Sequence, residues 1–199
     1  MAGGIRVERL AGERLKSHLP DLARLRIAVF RDFPYLYEGT QTYEENYLRT
    51  YAQAEDSVVV GAFDGERVVG AATALPLRHE PPDLTQPFAE RGYAAEEVFY
   101  FGESVLLPAW RRHGIGVAFF NEREAAALAH PGIRWASFCA VIRAEDHPRR
   151  PPGYVPLDAF WRKRGYEKVD GMIGRITWRD LDEEAESPKP MQFWIKRLR

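Results

Sequence analysis

Apolar positions alternate in some stretches of this chain and recur every three to four residues in others, and the switches mark its elements. Ile5 to Leu10 alternates weakly and predicts a first strand. From Ser17, "SHLPDLARLRIAVF" places Pro20 near a helix start, where a missing N–H costs little, with Leu22, Leu25 and Val29 at helical spacing. After "RDFPYLYEG", Thr42 and Glu45 form a capping-box pattern that opens a second helix. Its Tyr43, Tyr47 and Tyr51 share one stripe, which predicts core packing. Two Val-rich runs, 57–63 and 66–75, flank Asp64-Gly65, a dipeptide suited to the positive φ angles of a type I′ hairpin turn. The Pro-rich, charged segment "PLRHEPPDLTQPFAERGYAAEE" reads as a surface excursion with one short helix near 87–91.

Val98 to Leu107 is aromatic and β-branched and stops at Pro108, so it predicts a strand. "WRRHGIG" then leads into a helix over 117–129 whose poor periodicity implies cover on more than one side. A buried strand over 135–142, the loop "EDHPRRPPGYVP", and a short helix over 157–164 closed by Gly165 follow. Two strands, 168–178 and 191–198, are joined by the acidic "RDLDEEAESPKP". The order describes one mixed α/β domain without internal repeats.

Composition narrows the function classes. With 199 residues, 45% apolar and 29% charged, the chain is an ordinary globular one. Its 28 basic and 29 acidic side chains leave a net charge of −1, which removes the electrostatic argument for nucleic-acid or anionic-membrane binding. An anion site must therefore be local. Cys139, the single cysteine, supports neither an internal disulfide nor a zinc cluster. The five histidines lack paired helical spacing, so no metal is expected. Charges interrupt the first 16 residues, unlike a signal peptide, and no apolar run approaches the roughly 20 residues of a membrane helix. The expectation is a cytoplasmic protein.

The local anion site is legible in "ESVLLPAWRRHGIGVAFFNERE", residues 103–124. A strand delivers the chain to a turn, Gly114 and Gly116 remove side chains there, and a helix begins at once. Free backbone N–H groups and a positive helix end then coincide, which suits a phosphate or pyrophosphate. Arg111, Arg112 and His113 add cationic side chains. A Walker A loop is excluded because Val117 and Ala118, not Lys and Ser or Thr, follow Gly116. A dinucleotide fingerprint is excluded because Phe119 stands at its third glycine.

What remains, R-x-x-G-x-G at Arg111, Gly114 and Gly116, resembles the GNAT N-acetyltransferase family, whose R/Q-x-x-G-x-G/A loop cradles the pyrophosphate of acetyl-coenzyme A (acetyl-CoA). "FWRKRGY" at 160–166 is similar to that family's aromatic-x-x-x-Gly-aromatic segment, and the element order fits from residue 5 to about 178. The resemblance implies a single α/β domain over 1–199 with a mixed central sheet splayed at the cofactor site and flanked by helices. It further implies that backbone at Val105, Leu106 and Leu107 bonds the pantetheine arm, and that Arg111, Arg112, His113, Gly114, Ile115, Gly116 and Val117 wrap the pyrophosphate.

The resemblance also assigns chemistry. An alkyl ammonium has a pKa of about 10, so acetyl transfer to an amine needs a base. Glu103 is the candidate: alternation puts it with Phe99, Phe101, Val105 and Leu107, an apolar setting that makes a carboxyl a better base. The alternative is a buried Glu paired with an arginine such as Arg143. A backbone N–H near Leu106 is the implied oxyanion donor. The family's tyrosine acid is replaced by Trp161, so Tyr154, then Tyr166 or water, is left to protonate the leaving thiolate. Cys139, with His147 and Asp146, offers an acyl-cysteine route, but "ASFCAVI" reads as core. Tyr35, Tyr37, Glu38 and Arg143 are the candidate acceptor residues.

The expected activity is acetyl transfer from acetyl-CoA to a small-molecule or peptide primary amine, by direct attack in a ternary complex. A noncatalytic acyl-CoA binding module is the alternative. A third reading is an interaction protein using the exposed face of "MQFWIKRL", and that strand, rich in Met191, Phe193 and Ile195, offers an edge for a homodimer.

Overall fold

The computed structural model describes residues 4–199, except for the side chain of Thr50. Strand β1 (Arg6–Leu10) is followed by α1 (Gly12–Phe30) and α2 (Gln41–Gln53), then by the hairpin of β2 (Val58–Asp64) and β3 (Arg67–Pro76). After α3 (Pro82–Ala89) come β4 (Val98–Leu106), α4 (Ile115–Ala129), β5 (Trp135–Val141), α5 (Asp158–Arg162), β6 (Glu167–Trp178) and β7 (Ser187–Arg197). The seven strands form one mixed sheet in the order β1-β2-β3-β4-β5-β7-β6, antiparallel except for the β4–β5 pair. No helix among the described residues is long and apolar enough to cross a membrane.

Helix α1 begins before Ser17, so Pro20 lies inside it rather than at its start. Leu15 and Leu19 extend the buried stripe of Leu22 and Leu25 toward the N-terminus, and this burial outweighs the misplaced proline. Helix α2 opens two residues earlier than the capping box implied, with Thr40 rather than Thr42 as the cap: the Tyr43 N–H donates to Thr40 Oγ1 at 3.4 Å. Tyr43 is consequently exposed, at 57%, while Tyr51 is buried and Tyr47 packs partly against the core. The two helices cover one face of the sheet through Leu22, Leu25, Leu48, Val59 and Val105. Helix α4 covers the other face, with Ile115 and Phe119 on β2 and β3 and with Phe120 against Phe138 and Tyr166.

In the β2–β3 hairpin the turn residues are Gly65 and Glu66, with Asp64 opposite Arg67 and positive φ at Gly65 alone, +60°. That is a II′-like arrangement rather than the expected I′ turn. The excursion after β3 is more than a surface loop, since Leu84 and Phe88 of α3 pack with Met172 and Phe193 beneath the β6–β7 end of the sheet. Strand β7 is enclosed on both edges by β5 and β6, and Met191, Phe193, Trp194 and Ile195 are buried. It therefore has neither an edge for pairing with a second copy nor an exposed apolar face, which corrects both readings of "MQFWIKRL". The hydrophobic strand belongs in the sheet's interior.

One irregularity decides which way the central strand points. On β4, Glu103 lies opposite Thr73 of β3, but Tyr100 lies opposite Leu75, so β4 carries one extra residue between them. This bulge at Phe101-Gly102 reverses the inside–outside alternation. Val98 and Tyr100 before it share the α1–α2–α3 face with Glu103 and Val105 after it, while Phe99, Phe101 and Ser104 face α4.

Candidate active site

Strand β4 pairs with β3 from Phe99 to Leu106, but with β5 only from Val98 to Tyr100. Beyond Tyr100 and Ser137 the parallel strands part, and the rest of β5 pairs with β7 alone. The gap exposes one edge of β4. The Leu107 N–H donates to Val69 O at 3.0 Å, so in the antiparallel ladder the Val105 and Leu107 amides serve β3. Only the Leu106 amide of the expected trio faces the gap.

Past Pro108–Trp110 the chain reaches α4 through residues 111–114, all exposed. Gly114 caps the helix in the left-handed region at φ +80°, a conformation glycine adopts without Cβ strain. The first helical bond is Ala118 N–H to Gly114 O, 3.0 Å, which leaves the N–H groups of Ile115, Gly116 and Val117 without intrahelical acceptors. The Ile115 side chain is buried with Val60 and Phe119, so at that position only backbone is on offer. A Cβ on Gly116 would lie 3.3 Å from the Phe160 ring, so glycine also seats α5 over this end. Arg111 Nε reaches Leu106 O at 3.4 Å and ties the loop back to β4. Open amides, a positive helix end and an exposed basic approach fit a pyrophosphate, and the adjoining gap fits the extended arm of an acyl-CoA.

Glu103 is not in the apolar setting expected from simple alternation, because the bulge turns it toward α1 and α2. There its Oε2 pairs with the Arg26 guanidinium, which also donates to Glu44 Oε2. Its other oxygen, Oε1, is buried without a hydrogen-bond partner. Arg26 lies 4.2 Å from the Tyr47 ring centroid and 5.1 Å from that of Phe30. Tyr51 sits on the bulge: a Cβ at Gly102 would collide with its hydroxyl. That hydroxyl donates to Glu80 at 3.1 Å, and burial raises the Glu80 pKa above its ordinary value. On the opposite face, buried Arg123 donates to Glu103 O at 3.0 Å and to Ser104 Oγ at 2.8 Å, bracing the bulge. Desolvation lowers its pKa to about 10.

Arg26, Glu44, Glu80 and Arg123 escaped the sequence reading, which placed Tyr51 in the core stripe without linking it to the site. The signal for Arg26 was present, a charged residue one turn after Leu22 on the stripe that α1 buries. The others are brought in by tertiary packing.

The candidate acceptor residues divide into two groups. Tyr37 and Glu38 line a cleft of about 190 Å³ with Tyr43, Trp178 and Arg179. Burial, then a hydrogen bond to Glu44, raises the Tyr37 pKa. Arg143 is instead committed to structure, neither pairing with Glu103 nor free for an acceptor carboxylate. It donates to Asp180 at 2.6 and 2.9 Å and to the carbonyls of Pro34 and Tyr35, both at 2.7 Å. Tyr35 contributes that carbonyl while its ring packs at a tilt against Phe30 and Trp178.

Tyr154 is partly buried, edge-on to Phe33 of the α1–α2 loop at 4.8 Å, and burial raises its pKa. Tyr166 faces away, buried against α4, with its hydroxyl donating to Glu124 at 3.1 Å. Trp161 packs against both Phe138 and Trp194. The Cys139 thiol lies 3.0 Å from the Tyr100 hydroxyl, and burial pushes its pKa up to about 12, which suppresses thiolate chemistry.

A parallel strand pair that opens beside a glycine-capped, anion-ready helix start defines an acyl-CoA-handling α/β fold. The chain belongs to the acetyltransferase (GNAT) family, whose sequence model matches residues 22–150. Among curated proteins, none matches. Solved structures with the same fold include the ribosomal-protein-alanine N-acetyltransferase of Brucella melitensis, 14% identical, with TM-score 0.61 over 96% of this chain and 99% of that one. Arabidopsis thaliana NAA60, bound to a bisubstrate analogue, is 14% identical with TM-score 0.61 over 98% of both chains. The GNAT-like decarboxylase GphF, bound to isobutyryl-CoA, is 18% identical with TM-score 0.60 over 98% of this chain and 100% of that one.

Proposed function

We propose that this protein transfers an acetyl group from acetyl-CoA to a primary amine, with both substrates bound together. The observation that carries this reading is the free, buried Oε1 of Glu103 on the face of β4 where that strand leaves β5. Acetyl-CoA, when bound, supplies an activated thioester carbonyl. The amides of Ile115, Gly116 and Val117, with Arg111, Arg112 and His113, hold its pyrophosphate, and the Leu106 amide donates into the gap. Glu103 accepts a proton from the acceptor ammonium. Arg26, Glu44 and Glu103 in their ionised forms carry one surplus negative charge in a buried setting, which favours a cationic acceptor over a neutral one. In this reading Tyr37 and Glu38 form an outer wall for that acceptor, and Tyr154 is the residue assigned to return a proton to the leaving thiolate. Burial, which pushes the Cys139 thiol pKa up to about 12, favours direct transfer over an acyl-enzyme.

Thiol release from acetyl-CoA, assayed against an amine panel, tests the reading. Glu103→Gln is expected to lower kcat about 10²- to 10⁴-fold while acetyl-CoA still stabilises the protein in a thermal-shift measurement. Stabilisation by acetyl-CoA with no amine ever acetylated would instead support a noncatalytic binding module.

A further inference from the structure

The ion pair beneath Glu103 has one guanidinium and two carboxylates. Arg26 comes from α1, Glu44 from α2 and Glu103 from β4, and their side chains are 8%, 0% and 5% exposed. A pair built only for stability needs one partner for each charge. Here Glu44 competes with Glu103 for the same cation, and one oxygen of Glu103 is left unpartnered.

The surroundings hold the arrangement in place. Tyr47 and Phe30 both pack against the guanidinium, Tyr37 reaches Glu44 from the α1–α2 loop, and Tyr51 and Thr73 approach the bulge from α2 and β3. Glu80, after β3, contributes through Tyr51, and Arg123 faces the backbone of Glu103 from α4.

We infer that Glu44 and Arg26 are positioning residues that set the working pH of the base: Arg26 orients Glu103 and favours its charged form, and Glu44 draws part of that cation away. The inference rests on the reading of Glu103 as the base. Its consequence is a pair of shifts in opposite directions. Neutralising Glu44 gives Arg26 wholly to Glu103 and moves the acid limb of the kcat profile to lower pH, by about one unit. Neutralising Arg26 leaves Glu103 beside a second carboxylate and moves the limb to higher pH by a similar or larger amount.

The experiment is the pH dependence of kcat, from pH 5 to 9 at saturating acetyl-CoA and amine, for wild type, Glu44→Gln and Arg26→Gln. Glu44→Gln keeps size and a hydrogen-bonding oxygen for Arg26, so it is the variant expected to fold. If Arg26→Gln does not fold, Glu44→Gln decides alone. A limb moved to lower pH in Glu44→Gln supports the inference, whereas a uniform drop in kcat with the limb unmoved, or a shift to higher pH, overturns it. Glu103→Gln separates the two levels. If that variant keeps wild-type kcat, the base assignment itself fails; if it is impaired while Glu44→Gln leaves the limb in place, only the present inference fails.

Discussion

Replacing Asp180 by alanine should loosen one wall of the cleft proposed for the acceptor and cost measurable stability. Asp180, 4% exposed, receives both terminal nitrogens of Arg143 and the Trp178 indole N–H at 2.8 Å. Through Arg143 it is joined to the Pro34 and Tyr35 carbonyls, and its backbone bridges to Tyr37. Removing one partner of a buried ion pair costs about 3–5 kcal/mol. Arg143 keeps two carbonyl acceptors and an 11% exposed side chain, which places the expected loss at the lower end, about 3 kcal/mol. For a domain of this size about 1 kcal/mol corresponds to roughly 2–4 °C, so Tm should fall by about 6–12 °C. Calorimetry measures the fall, and steady-state kinetics should show a raised KM for the amine with KM for acetyl-CoA little changed. Removing Arg143 as well, in Arg143→Met/Asp180→Ala, should recover part of the stability because the Arg143 charge goes with its partner, while Lys189, 3.6 Å from Asp180, keeps Glu183 at 2.6 Å. A Tm within about 2 °C of wild type for Asp180→Ala would refute the argument that this ion pair fastens the loop.

Two further outcomes follow from the geometry. Gly114→Ala, at φ +80°, should cost about 1–2 kcal/mol and weaken acetyl-CoA binding more than amine binding, which calorimetry and separate KM values would resolve. Glu80→Gln should stabilise the protein increasingly as pH rises. The Glu80 carboxyl has a raised folded-state pKa, so its contribution is intact below the ordinary value of 4.5 and is lost as pH climbs through the folded value. The Tm difference between variant and wild type should be small at pH 4 and larger at pH 8, and an equal difference at both would contradict it.

The sequence is most informative where backbone chemistry is local. The glycines at 114 and 116 and their basic flank locate a helix start because positive φ and missing side chains are properties of single residues. The β2–β3 hairpin and the family motif are legible for similar reasons, and the mixed sheet follows from the family resemblance rather than from any local pattern. The direction of Glu103 is not, because alternation counts residues and a bulge at Phe101-Gly102 adds one to the count without changing the apolar pattern. Arg143 reads as a ligand group in a loop, yet its partner Asp180 lies 37 positions away and only tertiary structure brings the two together. The excursion after β3 looks solvent-facing by composition, and the packing of Leu84 and Phe88 beneath β6 and β7 is what makes Glu80 part of the site's surroundings.

The placement of β7 bears on the order in which the site is completed. Strand β6 reaches the sheet only through β7, and β6 carries Trp178 into Asp180, the residue that clasps the α1–α2 loop. A chain emerging from the ribosome makes that loop, the β4 bulge and the glycine-capped helix well before β7 can slot between β5 and β6. The anion-ready half can therefore assemble from nearby segments, whereas the acceptor wall must wait for contacts that are distant in sequence. That order predicts a stage in synthesis at which the glycine-capped helix start is formed while the loop fastened by Asp180 is still open.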